Sequence, residues 1–174
     1  MTDHRVTPSR STDKAISAVP IPRGALLARD VLLPGGRTVA DTDFADAFRV
    51  PLSDGMPRDP QAWVQAAFRS PPPWIAALFV LRNLLVRPLG IEQGDDSAFD
   101  TLAATEEEVL LGTDASHLSF RASVLVEAQA VTLSTLVWTH NRRGRLYMGV
   151  VRHVHPLVVR SMLRRAARTL GCAG

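Results

Sequence analysis

His155-Pro156-Leu157-Val158-Val159-Arg160-Ser161-Met162-Leu163-Arg164-Arg165-Ala166-Ala167-Arg168-Thr169-Leu170 is the stretch on which the fold turns. Val159, Met162, Leu163, Ala166 and Leu170 recur at helical spacing, and Arg160, Arg164 and Arg168 recur every fourth residue on the other side. The spacing predicts a C-terminal helix from His155 to Leu170 with one buried stripe. Pro156 suits a first helical position, Arg165 and Arg168 suit a last turn where the dipole favours cations, and Gly171 suits a left-handed cap. A buried stripe needs a partner surface, and the residues just upstream supply one.

From Glu107 to Val154 the chain reads as successive strands. Val109 and Leu111 form one, and Leu118, Phe120, Ala122, Val124 and Val126 alternate with polar residues to form another. Asn141-Arg142-Arg143-Gly144-Arg145 reads as a hairpin connection with Gly144 in a bulge, which makes Arg145 to Val154 the last strand. That loop sets Asn141 opposite Arg145, His140 opposite Leu146, Trp138 opposite Met148, Leu136 opposite Val150 and Ser134 opposite Arg152. A three-residue loop of Ala128, Gln129 and Ala130 brings Phe120 opposite Trp138 and Leu118 opposite His140. In the first hairpin, Gly112 pairs with His117, Leu111 with Leu118 and Glu108 with Arg121. A concave apolar face results, carrying His140, Ser134 and Arg152. A shifted middle register instead turns Leu133, Thr135 and Val137 inward and Trp138 outward.

Upstream, residues 1 to 17 read as a disordered tail, with no apolar segment of a secretory leader in Met1 to Lys14, and 18 to 171 as a single domain. Pro20, Pro22 and Pro34 mark an extended arm with a short strand near Leu26 to Leu32. Phe44 to Leu52 is the first clear strand, with Phe44, Phe48 and Val50 on one face, and the Asp54-Gly55 turn ends it. Two helices follow. Asp59-Pro60 opens Gln61 to Arg69, and Ser70 opens a second helix in which Trp74, Leu78, Leu81 and Leu85 share an apolar arc. Phe99 to Ala103 is a further strand.

The pattern therefore predicts an α+β chain: a curved antiparallel sheet around a long C-terminal helix, with two short helices after the first strand. A pI near 9.9 suggests nucleic acid, but the net charge is only +3 and no basic stripe alternates with aromatics. Cys172 is the single cysteine, which excludes a disulfide framework and suits a cytoplasmic location. Trp74 to Leu81 is too short to span a bilayer.

Several motifs together resemble a bacterial family of unknown function. They are Ala45-Asp46-Ala47-Phe48, Pro73-Trp74 through Leu81-Arg82-Asn83, Glu108-Val109-Leu110-Leu111-Gly112 and His117-Leu118-Ser119-Phe120-Arg121. His140-Asn141, Gly144-Arg145-Leu146-Tyr147 and His155-Pro156-Leu157 onward complete the set. The chain resembles the domain-of-unknown-function family numbered twenty-eight sixty-seven over roughly Asp43 to Ala167. The resemblance implies a helix-grip fold like the START and polyketide-cyclase (SRPBCC) superfamily, with a cavity between sheet and final helix. Trp138 and Val154 depart from the family pattern. The chain lacks the Gly-rich dinucleotide motif of the dehydrogenase-like domains that similar domains sometimes follow.

On this reading the chain binds a small hydrophobic, polyketide-like or isoprenoid-like molecule. Trp74, Phe120, Ser134, Trp138, Met148 and Met162 line the cavity, and His140 and Arg152 supply proton transfer and an oxygen-binding cation. Such a site works as a cofactor-free cyclase or isomerase, or else as a carrier, a sensor or a protein-interaction subunit. No metal and no cofactor is expected. His153 and His155 with His117 or His140 lack a completing carboxylate motif, and no nucleophile elbow accompanies a serine. The partners expected are the small molecule and a second copy of the chain in a homodimer, with neither nucleic acid nor a transmembrane segment.

Overall fold

The computed structural model describes residues 16–22, 37–68 and 100–172. Six antiparallel strands form one open sheet in the order β1-β2-β6-β5-β4-β3. They are β1 (Ser17–Ala18), β2 (Phe44–Pro51), β3 (Thr101–Ala104), β4 (Glu108–Asp114), β5 (Leu118–Val126) and β6 (Ala130–Thr139). Helix α1 (Pro60–Phe68) and the 30-residue α2 (Arg142–Gly171) lie on one face. The α+β class and the long C-terminal helix agree with the sequence reading. The second short helix, the strand near Leu26 to Leu32, residues 1–15 of the expected tail and Trp74 lie outside the described residues, while at the end of that tail Ile16 packs against the core and Ser17 pairs with Arg49 in β1.

The core forms where the period-2 faces of the strands meet the helical stripes. Phe48 and Val50 of β2, Val131 and Leu133 of β6, Val124 and Val126 of β5, and Val109 and Leu111 of β4 point to the helices. Against them pack Trp63, Val64 and Ala67 of α1 and Val159, Met162, Leu163, Ala166 and Ala167 of α2. Trp63 is fully enclosed, and its indole N–H donates to the Pro57 carbonyl at 2.9 Å, so no polar atom is stranded there. The buried stripe expected of the final helix is therefore in place.

The last predicted hairpin is not. Residues 142–154 are the first half of α2, and Asn141 is its N-cap, accepting a hydrogen bond from the Gly144 N–H at 3.0 Å. The Asn141 amide also donates to the Ser116 carbonyl at 3.0 Å, which ties the helix start to the β4–β5 turn. Gly144 serves close approach rather than a bulge, since a Cβ there would lie 2.1 Å from the His117 carbonyl oxygen. Pro156, expected at the first helical position, lies inside α2. It removes one backbone donor, a defect that an isolated helix would feel as about 3 kcal/mol but that tertiary packing on both sides holds in place. Gly171 has no left-handed conformation; Cys172 caps the helix and donates to the Arg168 carbonyl at 3.1 Å.

The middle register is the shifted one. The Val126–Val131 pair is closed by Glu127 and Ala130, leaving a loop one residue shorter than expected, and Phe120 faces Val137 while Ser119 faces Trp138. One residue of slip turns every side chain of β6 over. Val137 and Leu133 point to the helices, and Ser134, Leu136 and Trp138 point away. The β4–β5 register is likewise displaced, with Gly112 on Arg121, Leu111 on Ala122 and Glu108 on Leu125. Both faces of β6 are buried along its whole length, so its apolar pattern carries no register information.

Candidate functional site

The end of the sheet where β2 begins and β6 ends meets the first half of α2, and this junction gathers most of the chemistry on the helix side. Phe44 and Asp46 share the inward face of β2 with Phe48. Asp46 Oδ2 lies 2.8 Å from His155 Nδ1 across a chain separation of 109 residues, with both side chains mostly buried. The other Asp46 oxygen is buried and has no hydrogen-bond partner among the described residues. Phe44 meets the His155 ring edge-on, with centroids 5.4 Å apart. This contact orients the imidazole plane, and the carboxylate engages Nδ1 rather than Nε2.

Beside this pair is a recess of about 210 Å³ lined by Asp43, Phe44, Thr139, Arg145, Met148, Gly149 and Arg152. Phe44 and Met148 supply apolar surface. Arg145 and Arg152 are exposed, and among the described residues neither is in an ion pair. Arg152 and His155 are three residues apart, which places them on neighbouring positions of one helix side. Asp43 is committed elsewhere: its Oδ2 accepts from the Thr139 N–H at 2.6 Å, the Thr139 hydroxyl at 2.9 Å and Arg37 at 3.4 Å. Partial burial pushes the Asp43 carboxyl up, but the Thr139 hydrogen bonds and the Arg37 guanidinium more than offset this and leave it below its ordinary value.

The residues expected to act together are divided between the two faces of the sheet. His140 is exposed and its Nε2 lies 2.9 Å from Ser119 Oγ, on the face that carries Trp138 and Ser134. Arg152 is on α2, on the opposite face, so the expected His140–Arg152 pairing is absent. Trp138 is fully buried, with its indole N–H donating to the Thr38 carbonyl at 2.9 Å. Met162 is part of the packed core, Phe120 is partly buried between two apolar clusters, and of the described residues of the expected lining only Met148 reaches the recess. The expected cavity bounded jointly by Phe120, Trp138, Met148 and Met162 is therefore not formed.

The second face holds a polar cluster of its own. Arg121, nearly fully buried, grips Asp114 at 2.9 and 3.0 Å, and the Ser123 hydroxyl donates to Glu108. Burial raises the Asp114 carboxyl, while hydrogen bonds from Arg121 and Ser119 and the nearby charges of Arg121 and His140 outweigh it and hold the group down. Asp114 thus serves Ser119 and Arg121 rather than orienting the His140 ring, so Ser119, His140 and Asp114 do not form the relay of a hydrolase. His153 is exposed while His155 is taken by Asp46, so the two do not share a metal-facing side.

Asp46, His155 and Arg145 are the site residues that the sequence reading did not single out as such. A signal was present: Asp46 and His155 each belong to one of the motifs that carry the family resemblance, and the fold brings those motifs together.

Among the described residues, no helix is long and apolar enough to cross a membrane. No curated protein matches the chain. Of the solved structures, a protein of unknown function, PA94 from Pseudomonas aeruginosa, is 17% identical, with 90% of this chain and 85% of that one covered. Its TM-score is 0.25, too low for the likeness to bear on fold or function. The family model described as protein of unknown function (DUF2867) matches residues 38–162, which is most of the chain and most of the described elements. The chain belongs to this family.

Proposed function

We propose that the chain is a small-molecule binding protein, acting as a carrier or sensor, whose ligand presents a carboxylate or other oxyanion to Arg145 and Arg152 and an apolar portion to Phe44 and Met148. The observation that carries this is a pair of guanidinium groups that have no ion pair among the described residues and line the same recess as Phe44 and Met148. Guanidinium is built for planar oxyanions, and a neighbouring apolar surface adds selectivity for amphipathic molecules. At about 210 Å³ the recess is smaller than the usual 300–1,000 Å³ ligand site, which fits a small acid or the head of a longer one. The test is native mass spectrometry of freshly purified wild type and Arg152→Met, followed by thermal shift with decanoic acid and decanol. A co-purifying acid and a shift with decanoic acid alone, both lost in Arg152→Met, are expected. An empty protein that responds to neither probe contradicts the proposal.

The Asp46–His155 pair favours a second reading, in which the site also moves a proton on its ligand without a cofactor, as a cyclase or isomerase does. A carboxylate-oriented imidazole next to an oxyanion-binding arginine is a sufficient set for enolisation. Proton exchange on the identified ligand in D₂O separates the two: His155→Gln abolishes exchange while sparing binding if the pair is catalytic. Wild type shows no exchange if the pair only tethers helix to sheet.

A further inference from the structure

The outer side of α2 has features that neither the core nor the recess explains. Leu146, Val150, Val154 and Leu157 fall at intervals of four, four and three residues, which stacks them in one stripe. They are 62%, 67%, 40% and 62% exposed, on the side of the helix away from Met148, Val159 and Met162. The stripe is about 16 Å long at 1.5 Å per residue. Four large aliphatic side chains in a row on a half-exposed helix differ from the scattered apolar residues normal at a surface.

The charge around the stripe is one-sided. The segment from Arg142 to Gly171 carries eight arginines and two histidines and no acidic residue, although the chain as a whole has 20 basic and 17 acidic residues. Arg142 and Arg143 precede Leu146 by one turn, and His153 lies three residues after Val150 and four before Leu157; all three are exposed. Among the described residues, Arg142 and Arg143 have no ion pair.

From this arrangement we infer that the first half of α2 docks on an anionic lipid surface, with Leu146, Val150, Val154 and Leu157 entering the interface and Arg142 and Arg143 meeting phosphate headgroups. An apolar strip on a helix whose own charged residues are all basic is the pattern of a helix lying in the plane of a membrane interface. Charge decides against a second copy, because stripe-to-stripe contact between two such helices sets arginines against arginines. The inference does not depend on the recess holding a ligand.

The experiment is co-sedimentation of the full-length chain with vesicles of phosphatidylcholine alone and of phosphatidylcholine mixed with phosphatidylglycerol, at low and high salt. Binding is expected to the anionic vesicles only, weakening as salt rises. Leu146→Ser/Leu157→Ser is expected to weaken it at least tenfold with an unchanged melting temperature. Arg142→Gln/Arg143→Gln is expected to weaken it by roughly fivefold for each arginine removed. Equal binding to neutral vesicles, or none to either, overturns the inference. So does unfolding of the serine variant, which would make the stripe an internal packing surface covered by other parts of the chain. Self-association of wild type that the serine variant abolishes, without lipid binding, would assign the stripe to a second copy. An acidic protein partner would be indicated by arginine-dependent binding to polyglutamate in the absence of vesicle binding, and it too would overturn the lipid reading.

Discussion

The two halves of α2 are continuous in backbone and opposite in use. After Pro156 the helix gives its side chains to the core: Val159, Met162, Leu163, Ala166 and Ala167 are all buried against the sheet and α1. Before Pro156 only Gly144 and Met148 are buried, while Leu146, Val150 and Val154 project outward near Arg142 and Arg143, which have no ion pair among the described residues. The second half shows one apolar side, which is buried, whereas the first half packs Tyr147, Met148 and Val151 inward and carries a second apolar stripe that is exposed. Packing within the fold leaves the exposed stripe unused, and docking on a lipid surface gives it a role.

The largest expected difference between the halves is in stability. Leu163→Ala removes a fully buried side chain and is expected to lower unfolding free energy by about 2 to 5 kcal/mol. Leu146→Ala, 62% exposed, is expected to change it by less than about 0.5 kcal/mol. Urea unfolding of the pair checks this, and comparable losses would erase the distinction.

A smaller contrast lies within the first half. Gly144→Ala forces a methyl group against the His117 carbonyl and is expected to destabilise by roughly 1 to 3 kcal/mol. Gly149→Ala meets nothing within 4 Å and is expected to stabilise by about 0.5 to 1 kcal/mol through helix propensity. Thermal melts of both variants would show opposite signs if the helix start is docked on the β4–β5 turn as described. Like signs would place the contact elsewhere.

The smallest expected effect is electrostatic and belongs to the sheet rather than to α2. Asp43 and Asp114 both have folded-state carboxyl values below the ordinary one. Their contribution is therefore full above the unfolded value near pH 4 and is lost as pH falls through the lower folded value. Asp43→Asn/Asp114→Asn is expected to be less stable than wild type at neutral pH and to converge with it in acid. A gap that persists at the acid end would point to packing instead of charge.

How far this was legible from the residues follows the same division. Val159, Met162, Leu163 and Ala166 announced the second half because their helical period coincides with burial. The first half differs from the expected hairpin because two local signals imitate one. Asn141 and Gly144 have turn chemistry, yet one is an N-cap and the other a contact point, and Leu146, Met148 and Val150 alternate as a strand face would. In fact Met148 is buried and its two neighbours in that alternation are exposed, which only a helix produces. The β6 register was ambiguous for a different reason: Leu133 and Val137 on one face and Leu136 and Trp138 on the other are all buried, so hydrophobicity favours neither. The site was less legible still, since Asp46 and His155 meet only through tertiary packing and no spacing along the chain foretells a separation of 2.8 Å.

Hydrogen exchange across α2, with and without phosphatidylglycerol-containing vesicles, tests the division of the helix most directly. Amides of residues 142 to 157 are expected to exchange faster in the free protein than those of 158 to 171, and vesicles are expected to slow the first group and leave the second unchanged. Uniform exchange along the helix, or vesicle protection that is absent or spread equally over both halves, would contradict it.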